Sequence, residues 1–268
     1  MDHKLRSLYQ PIQPTIRQSA TDEVVYLECL PDPRLQAFIY CYWELKTLQP
    51  LQADFSYRVV ADGCMDILLE LDRPAENFVT GLSTSYVEFP LGNAFHYIGI
   101  RFLPTAFPQL FQVDASSLTN KFENLSNVLP DLSRFLGLQL DKTQTIEGIT
   151  ESLDHYFLQW ISKQAPQPDD RVLNALAIIL KQKGMVDIGG LDTGLSPRQL
   201  RRRFHYYLGE SAKTFSKVVR FQQLLQAKPS TESLKHNKIF YDVGYYDQAH
   251  FIKEFKHFYG LTPSKALK

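Results

Sequence analysis

The pattern of hydrophobic positions changes once along the chain, near residue 103. Before that point, short runs rich in β-branched and aromatic residues alternate with polar or turn-forming residues, which predicts β-strands. The predicted strands cover residues 24–30, 38–45, 55–60, 65–71, 78–81, 87–90 and 95–102. Strands at such close spacing are typical of an antiparallel β-barrel or sandwich. Residues 1–21 are polar, contain Pro11 and Pro14 and show no period, which predicts a loose arm.

An Asp-Gly pair lies between two of these predicted strands. Asp62 and Gly63 separate the apolar runs at residues 55–60 and 65–71. Asp-Gly between hydrophobic runs is a strong short-range signal for a β-hairpin, because both residues tolerate the positive φ of the tight turn. We therefore expect these two strands to pair with each other.

After Pro104 the hydrophobic period becomes helical. Helices are predicted over residues 105–111, 129–138, 145–161, 171–183 and 213–226. The helix at 145–161 carries a broad apolar stripe made of Ile146, Ile149, Leu153, Phe157, Trp160 and Ile161. The sequence leaves two interpretations open. This stripe either covers the strand-rich N-terminal part of the chain, called the β-domain below, or forms the interface of a homodimer. Residues 164–170 contain two prolines in a polar run and predict an interdomain linker.

A second helical pattern follows a glycine near the C-terminus. Gly244 suits a turn with positive φ, and Asp247 has the features of a helix N-cap. Phe251 and Phe255 then lie four residues apart on one helix face. The opposite face carries short polar groups and a cation, at Gln248, Ala249, His250 and Lys253. Such a face suits the reading of base edges in the major groove; an ordinary amphipathic surface helix would show the same period.

The same arrangement, an N-cap followed by an apolar pair on one helix face, occurs upstream. Ser196 and Gln199 make a capping box, and Pro197 occupies the first helical position, where its missing N–H costs nothing. Leu200 and Phe204 repeat the apolar pair at i and i+4. Three cationic residues lie away from that pair, namely Arg198, Arg201 and Arg202.

These two runs bear a resemblance to a known family. Residues 244–263 closely resemble the signature of the arabinose-regulator (AraC-type) transcription factors, and residues 196–204 resemble the first helix-turn-helix of that family. The resemblance implies an all-α domain with two helix-turn-helix units joined by the helix at 213–226, each laying its second helix in the major groove of double-stranded DNA. Gly189-Gly190 replaces the usual Leu-Ala pair. Because glycine destabilises a helix interior, the first helix of the first unit is expected to be short or irregular.

Candidate DNA-contact residues follow from the resemblance and from the exposed faces. They are Pro197, Arg198, Arg201, Arg202, His205, Lys213, Arg220, Gln248, Ala249, His250 and Lys253. Lys213 and Arg220 are expected to contact phosphate or to act structurally. Ser196 and Asp247 are the expected helix caps.

The charge distribution points to the same partner. Residues 171–268 contain 17 Lys and Arg and 7 Asp and Glu, a net charge of +10. Residues 1–170 contain 12 basic and 22 acidic residues, a net charge of −10. A basic module joined to an acidic one favours nucleic acid as the partner of the basic part, the alternative being a chance difference between two domains.

The N-terminal region has a weaker resemblance to the sensor half of one AraC-type branch, carried by residues 57–67 and 98–104. It implies a cupin-like β-domain followed by helices. Arg58, Asp66 and Arg101 are candidate groups for a small-molecule effector, simple ion pairing being the alternative. The predicted barrel contains a single histidine, so neither a metal nor a cofactor is expected.

Taken in order, the chain is predicted to be α+β. Residues 1–163 form a sensor or dimerisation domain, β-rich to about 103 and helical over 104–163; residues 164–170 link it to a DNA-binding domain at 171–268. Three scattered cysteines, no signal-peptide pattern and no long apolar run predict a cytoplasmic protein without a membrane partner. The expected function is non-enzymatic transcription regulation. The alternative is a cupin-like enzyme with an accessory nucleic-acid-binding module.

Overall fold

The computed structural model describes residues 3–13, 23–164, 166, 168–227 and 239–267. The strands of this described part are β1 (Val24–Cys29), β2 (Ile39–Thr47), β3 (Phe55–Val59), β4 (Met65–Glu70), β5 (Asn77–Thr80), β6 (Val87–Gly92), β7 (His96–Phe102) and β8 (Phe122–Asn124). The helices are α1 (His3–Leu8), α2 (Ala106–Phe111), α3 (Leu125–Val128), α4 (Pro130–Gln139), α5 (Ile146–Lys163), α6 (Asp170–Lys181), α7 (Pro197–Leu208), α8 (Ala212–Gln226), α9 (Ile239–Asp242), α10 (Gln248–Tyr259) and α11 (Pro263–Ala266). None of the described helices is long and apolar enough to span a bilayer.

The strands form two antiparallel sheets. The larger sheet has the order β1-β2-β7-β4-β5-β8, and β3 and β6 form a separate ribbon. The large sheet keeps two edges, at β1 and β8, so it does not close into a barrel. The prediction of an N-terminal antiparallel sandwich followed by an all-α region is confirmed, and the closed barrel is not formed.

The predicted hairpin at Asp62-Gly63 is wrong. β3 pairs with β6, whereas β4 pairs with β5 and β7, so the chain crosses between the two sheets here. Gly63 does adopt a positive φ of 73°, as the turn signal required. A Cβ at this position would lie 2.8 Å from the Phe215 ring of α8, so the glycine also permits a close approach of the crossing loop to the helical region. The local turn signal was correct, but long-range packing chose the strand partners.

One face of the large sheet is covered by helix α5. Its Ile149, Leu153 and Phe157 are fully buried in the cluster that contains the inward side chains of β4 and β7. The Phe157 and Phe102 rings meet edge to face with centroids 6.0 Å apart. The apolar stripe of this helix therefore covers the β-domain, which is the first of the two interpretations. The structure does not test the homodimer, which stays a prediction.

The helical region packs around α8. Phe204 of α7 and Phe215 of α8 are fully buried in one cluster with α6, and Phe221 of α8 and Phe255 of α10 are fully buried in the next. The expected irregularity at the two glycines is present: only a 3-10 turn, Ile188–Gly190, forms there.

Within the predicted N-terminal arm of residues 1–21, residues 3–13 are not loose, contrary to the prediction; residues 1–2 and 14–21 lie outside the described residues. Tyr9 is fully buried and donates its hydroxyl to the Asp62 carbonyl. The backbone N–H of Ile12 donates to Gln222 Oε1 of α8 at 2.7 Å, and Gln13 Nε2 donates to Asp62 Oδ2 at 2.7 Å. The domain limits at 163 and 171 remain a prediction.

Candidate nucleic-acid interface

Helix α7 begins as its sequence predicted. Ser196 Oγ accepts from the Gln199 backbone N–H at 3.3 Å, and Gln199 Oε1 accepts from the Ser196 N–H at 2.9 Å, which completes the capping box. Pro197 occupies the first helical position. Gly209 ends the helix with a φ of 84°, a left-handed conformation that glycine adopts without strain.

The two faces of α7 differ sharply in polarity. Leu200 and Phe204 are buried. The opposite face presents three exposed guanidinium groups, and none of them forms an ion pair or hydrogen bond with another described residue: Arg198, Arg201 and Arg202. Arg203 is different, because its Nε lies 3.2 Å from Asp169 at the start of α6 and ties the two helices together. His205 is half-buried.

Helix α10 repeats the frame of α7, by which we mean an oxygen-bearing N-cap, a left-handed glycine at the C-terminal end and a buried apolar pair at i and i+4. Asp247 accepts from the His250 backbone N–H at 2.7 Å, which confirms it as the N-cap, and Gly260 ends the helix with a φ of 90°. Phe251 and Phe255 are buried. The outward positions Gln248, Ala249 and Lys253 are exposed.

A buried carboxylate organises the region behind α10. Glu254, whose side chain is 7% exposed, lies 3.2 Å from Arg220, 3.4 Å from Lys217 and 3.7 Å from His250. Arg220 also donates to the Gly244 carbonyl at 3.2 Å and lies over the Tyr245 ring. Burial raises the pKa of Tyr245, and the nearby Glu254 carboxylate raises it further.

These contacts place two of the predicted DNA-contact residues inside a structural network. The Arg220 side chain is only 15% exposed, which agrees with the structural part of the expectation for it, and His250 is half-buried. Lys213 is exposed at the first turn of α8. Sequence reasoning missed Glu254 itself. Its position between Phe251 and Phe255 was the available signal, because a carboxylate on an apolar helix face requires a cationic partner.

The β-domain contacts both of these helix-turn-helix regions. Thr119 Oγ1 donates to the Gly209 carbonyl at the end of α7 at 2.7 Å. Asp114 borders a shallow groove together with the outward side chains of α7. At α10, the N–H of Tyr86 donates to the His257 carbonyl at 3.2 Å, and the N–H of Ala61 donates to the Phe258 carbonyl at 3.3 Å. The ends of both helices are therefore held against the β-domain.

The three candidate ligand residues of the β-domain separate into two places. Arg101 Nη2 lies 2.9 Å from Asp66 Oδ2, and Arg101 Nε lies 3.8 Å from Asp62, in a buried group between the sheets. Burial raises the pKa of Asp66, and the neighbouring Arg101 opposes that rise. Arg58 instead pairs with Glu88 across the β3–β6 ribbon, Nε to Oε1 at 2.8 Å. No group of three metal-ligating side chains occurs among the described residues.

Two family models match separate parts of the chain. Residues 27–124 match a family described as a domain of unknown function, DUF6597. Residues 192–268 match a helix-turn-helix domain family. No curated protein is significantly similar to the chain.

Among solved structures, ToxT from Vibrio cholerae is distantly similar. The structure from strain O395 is 14% identical, with a TM-score of 0.38 over 91% of this chain and 95% of that one. A 1.65 Å structure of ToxT is 12% identical, with a TM-score of 0.40 over 91% of this chain and 97% of that one. ToxT bound to (E)-4-(8-methylnaphthalen-1-yl)but-3-enoic acid is 12% identical, with a TM-score of 0.38 over 91% and 97% of the two chains.

The family match and the geometry agree on the C-terminal region. The match at residues 192–268 includes both capped helices, α7 and α10, and the arginine face of α7. This part of the chain is an AraC-type helix-turn-helix domain, and the protein is a DNA-binding transcription regulator.

Proposed function

We propose that this regulator acts in the cytoplasm, where its three free thiols stay reduced, and that it lays α7 and α10 in successive major grooves of duplex DNA. The observation that carries the proposal is the outer face of α7. Arg198, Arg201 and Arg202 are exposed, and none of them forms an ion pair or hydrogen bond with another described residue. Guanidinium groups on one helix face repel one another, and guanine and phosphate oxygens relieve that repulsion.

The outer face of α10 supplies a different kind of contact. Gln248 carries an amide that suits adenine, the Ala249 methyl suits the thymine methyl group, and Lys253 adds a cation. His250 is half-buried near Glu254 and is turned partly toward the protein. Lys213 lies at the exposed N-terminal end of α8, where a phosphate contact is expected. Recognition helices on one face of B-DNA lie about 34 Å apart, so one monomer protects two blocks about one helical turn apart.

The test is a fluorescence-anisotropy titration of the full chain on operator DNA, isolated by binding selection from genomic fragments. If about six phosphates are contacted, log K falls with log[salt] at a slope of about −5. Arg201→Ala weakens specific binding about ten-fold or more and non-specific binding less, because a bidentate arginine–guanine pair contributes about 1–3 kcal/mol.

The matched control is Arg134→Ala, an arginine of α4 whose side chain is 71% exposed and which lies in the β-domain. This variant leaves both affinities unchanged. An equal loss for Arg201→Ala on every sequence would make Arg201 a phosphate contact. Binding that does not respond to salt would overturn the proposal.

We also propose that the β-domain controls DNA binding through direct contact and not through the linker alone. Three hydrogen bonds to the helix ends at Gly209, His257 and Phe258 support this, and the N-terminal segment adds a further connection. Asp62 accepts from Gln13, and Gln222 of α8 donates to the Ala61 carbonyl at 2.8 Å. An effector in the β-domain acts on α8 by this route if it binds the two arrangements with different affinity.

Asp114 provides a direct test of that contact. Its carboxylate borders the groove in front of the α7 arginines, where it repels incoming phosphates. Asp114→Asn therefore raises DNA affinity about two- to three-fold at low salt, as expected for an exposed charge, and the gain disappears at high salt. Asp131→Asn, on a residue whose side chain is 82% exposed on α4, is the control and leaves the affinity unchanged. A gain for Asp114→Asn that persisted in high salt would contradict the electrostatic cause.

A further inference from the structure

A cavity lies between the two sheets of the β-domain. This sandwich cavity has a volume of about 310 Å³. Six aromatic rings line it, from Trp43, Tyr57, Phe78, Phe89, Tyr97 and Phe122. The indole of Trp43 packs closely against β7 at Gly99, which has no side chain; a Cβ at Gly99 would lie 1.9 Å from the indole. Cavities of about this size bind small organic ligands.

The inner end of the cavity holds a buried donor without an acceptor. A smaller space of about 40 Å³ shares Trp43, Tyr57, Leu68 and Phe89 with the main cavity and reaches Arg101. The Arg101 side chain is 2% exposed, and its Nε and Nη2 donate to Asp66. Its Nη1 is buried and has no hydrogen-bond partner in the described structure. A buried donor left unpaired is destabilising, so an acceptor atom in this space would be stabilised.

The charges around the cavity favour a positively charged ligand. At the mouth, Arg73 pairs with Glu70 at 2.5 Å and with Glu76 at 3.0 Å. Together the two spaces are lined by four carboxyl groups and two guanidinium groups, the latter from Arg73 and Arg101. An anionic ligand would add to this acidic excess. A cation is attracted by the carboxylates and by the faces of the aromatic rings.

We infer that the sandwich cavity binds a planar aromatic cation that carries a hydrogen-bond acceptor at the end remote from its charge. The cationic group lies at the mouth beside Glu70 and Glu76. The ring lies between the two sheets against Trp43 and Phe89. The acceptor reaches Arg101 Nη1. A ligand of this class would be the effector of the regulator. Only this biological role rests on the proposed function, because the binding of the ligand is measured without DNA.

The test uses three fluorescent coumarins that differ in one substituent, an aminomethyl, hydroxymethyl or carboxymethyl group, and that all carry a methoxy acceptor at the opposite end of the ring. Each is titrated into the full chain in the absence of DNA. We expect the ammonium compound to bind at least about ten-fold more tightly than the carboxylate, with the alcohol between them. Equal or tighter binding of the carboxylate, or no binding of any of the three, overturns the inference and leaves the DNA-binding function untouched.

Two sets of variants locate the site. The double variant Glu70→Gln, Glu76→Gln reduces the preference for the ammonium compound over the alcohol to less than about two-fold, because the rings remain and the negative charges are gone. The control Glu147→Gln, Glu151→Gln changes two exposed carboxylates of α5, on the opposite side of the large sheet, and keeps the preference. Leu68→Trp fills the space that both parts of the cavity share, so a folded variant loses binding of all three compounds. Unchanged binding by folded Leu68→Trp would place the compounds elsewhere and refute the site.

Discussion

Helices α7 and α10 share one frame and differ in how their charges are used. Each begins at an oxygen-bearing cap, ends at a left-handed glycine and buries an apolar pair at i and i+4. The outer face of α7 keeps three arginines without a partner among the described residues. Behind α10, in contrast, Glu254 draws Lys217, Arg220 and His250 toward the protein interior. The same local design therefore presents exposed cations in one unit and supports a packed polar network in the other.

This difference shows why net charge alone does not identify DNA contacts. The C-terminal region carries a net charge of +10, but part of that charge is neutralised inside the fold. A cation attracts DNA strongly only when no nearby carboxylate already compensates it and when the groove can reach it. The first unit is therefore expected to supply more of the affinity, and the second unit to depend more on shape and neutral contacts. Three predictions examine this contrast.

The largest effect is expected from the network of the second unit. Glu254→Ala leaves Arg220 largely buried without its carboxylate, which destabilises the protein by about 3–5 kcal/mol. Urea denaturation of the full chain measures this loss. Glu151→Ala, an exposed residue of α5, is the control and changes stability by less than about 0.5 kcal/mol. A loss below about 1 kcal/mol for Glu254→Ala would show that water or rearranged side chains replace the carboxylate.

The second prediction compares the two outer faces directly. Arg202→Ala lowers specific DNA affinity about ten-fold, whereas Lys253→Ala lowers it about three-fold, because arginine binds bidentately and lysine acts as a single point charge. Competition anisotropy on one operator measures both variants. The effects of the two substitutions add in the double variant, because the residues lie on different units and share no partner. A larger effect for Lys253→Ala would reverse the assignment of the two units.

At the two caps, we expect losses of folding stability that are smaller than the loss at Glu254. Asp247→Ala removes a charge-assisted bond of 2.7 Å and costs about 1–2 kcal/mol. Ser196→Ala removes a bond of 3.3 Å and costs about 0.5–1 kcal/mol. Chemical denaturation measures both, and Ser196→Gly, which costs only a few tenths of a kcal/mol, is the control for backbone effects. Equal losses at the two caps would mean that the carboxylate has no advantage at the N-terminus of α10.

The positions of most strands and helices were predictable from the spacing of their hydrophobic residues. The seven predicted strands all occur, with ends that shift by one or two residues. β8 was missed, because a strand of three residues has too few positions to show a period. The pairing of β3 with β6 was also missed, because the Asp-Gly signal describes only neighbouring residues. In the candidate DNA interface, local features were sufficient to predict the N-caps of α7 and α10 and the exposure of the three arginines, whereas their contact with DNA stays a prediction.

What the sequence determined by itself was the frame of α7 and α10. The capping oxygens, the glycine ends and the apolar pairs act within a few residues of one another, so their free energy does not depend on the rest of the fold. Tertiary structure alone decided that Arg220 serves a network, that residues 3–13 join two regions, and that Trp43 and Arg101 border one cavity. In each of these cases the stabilising contact links residues far apart in sequence, and no local sequence pattern specifies the distant partner.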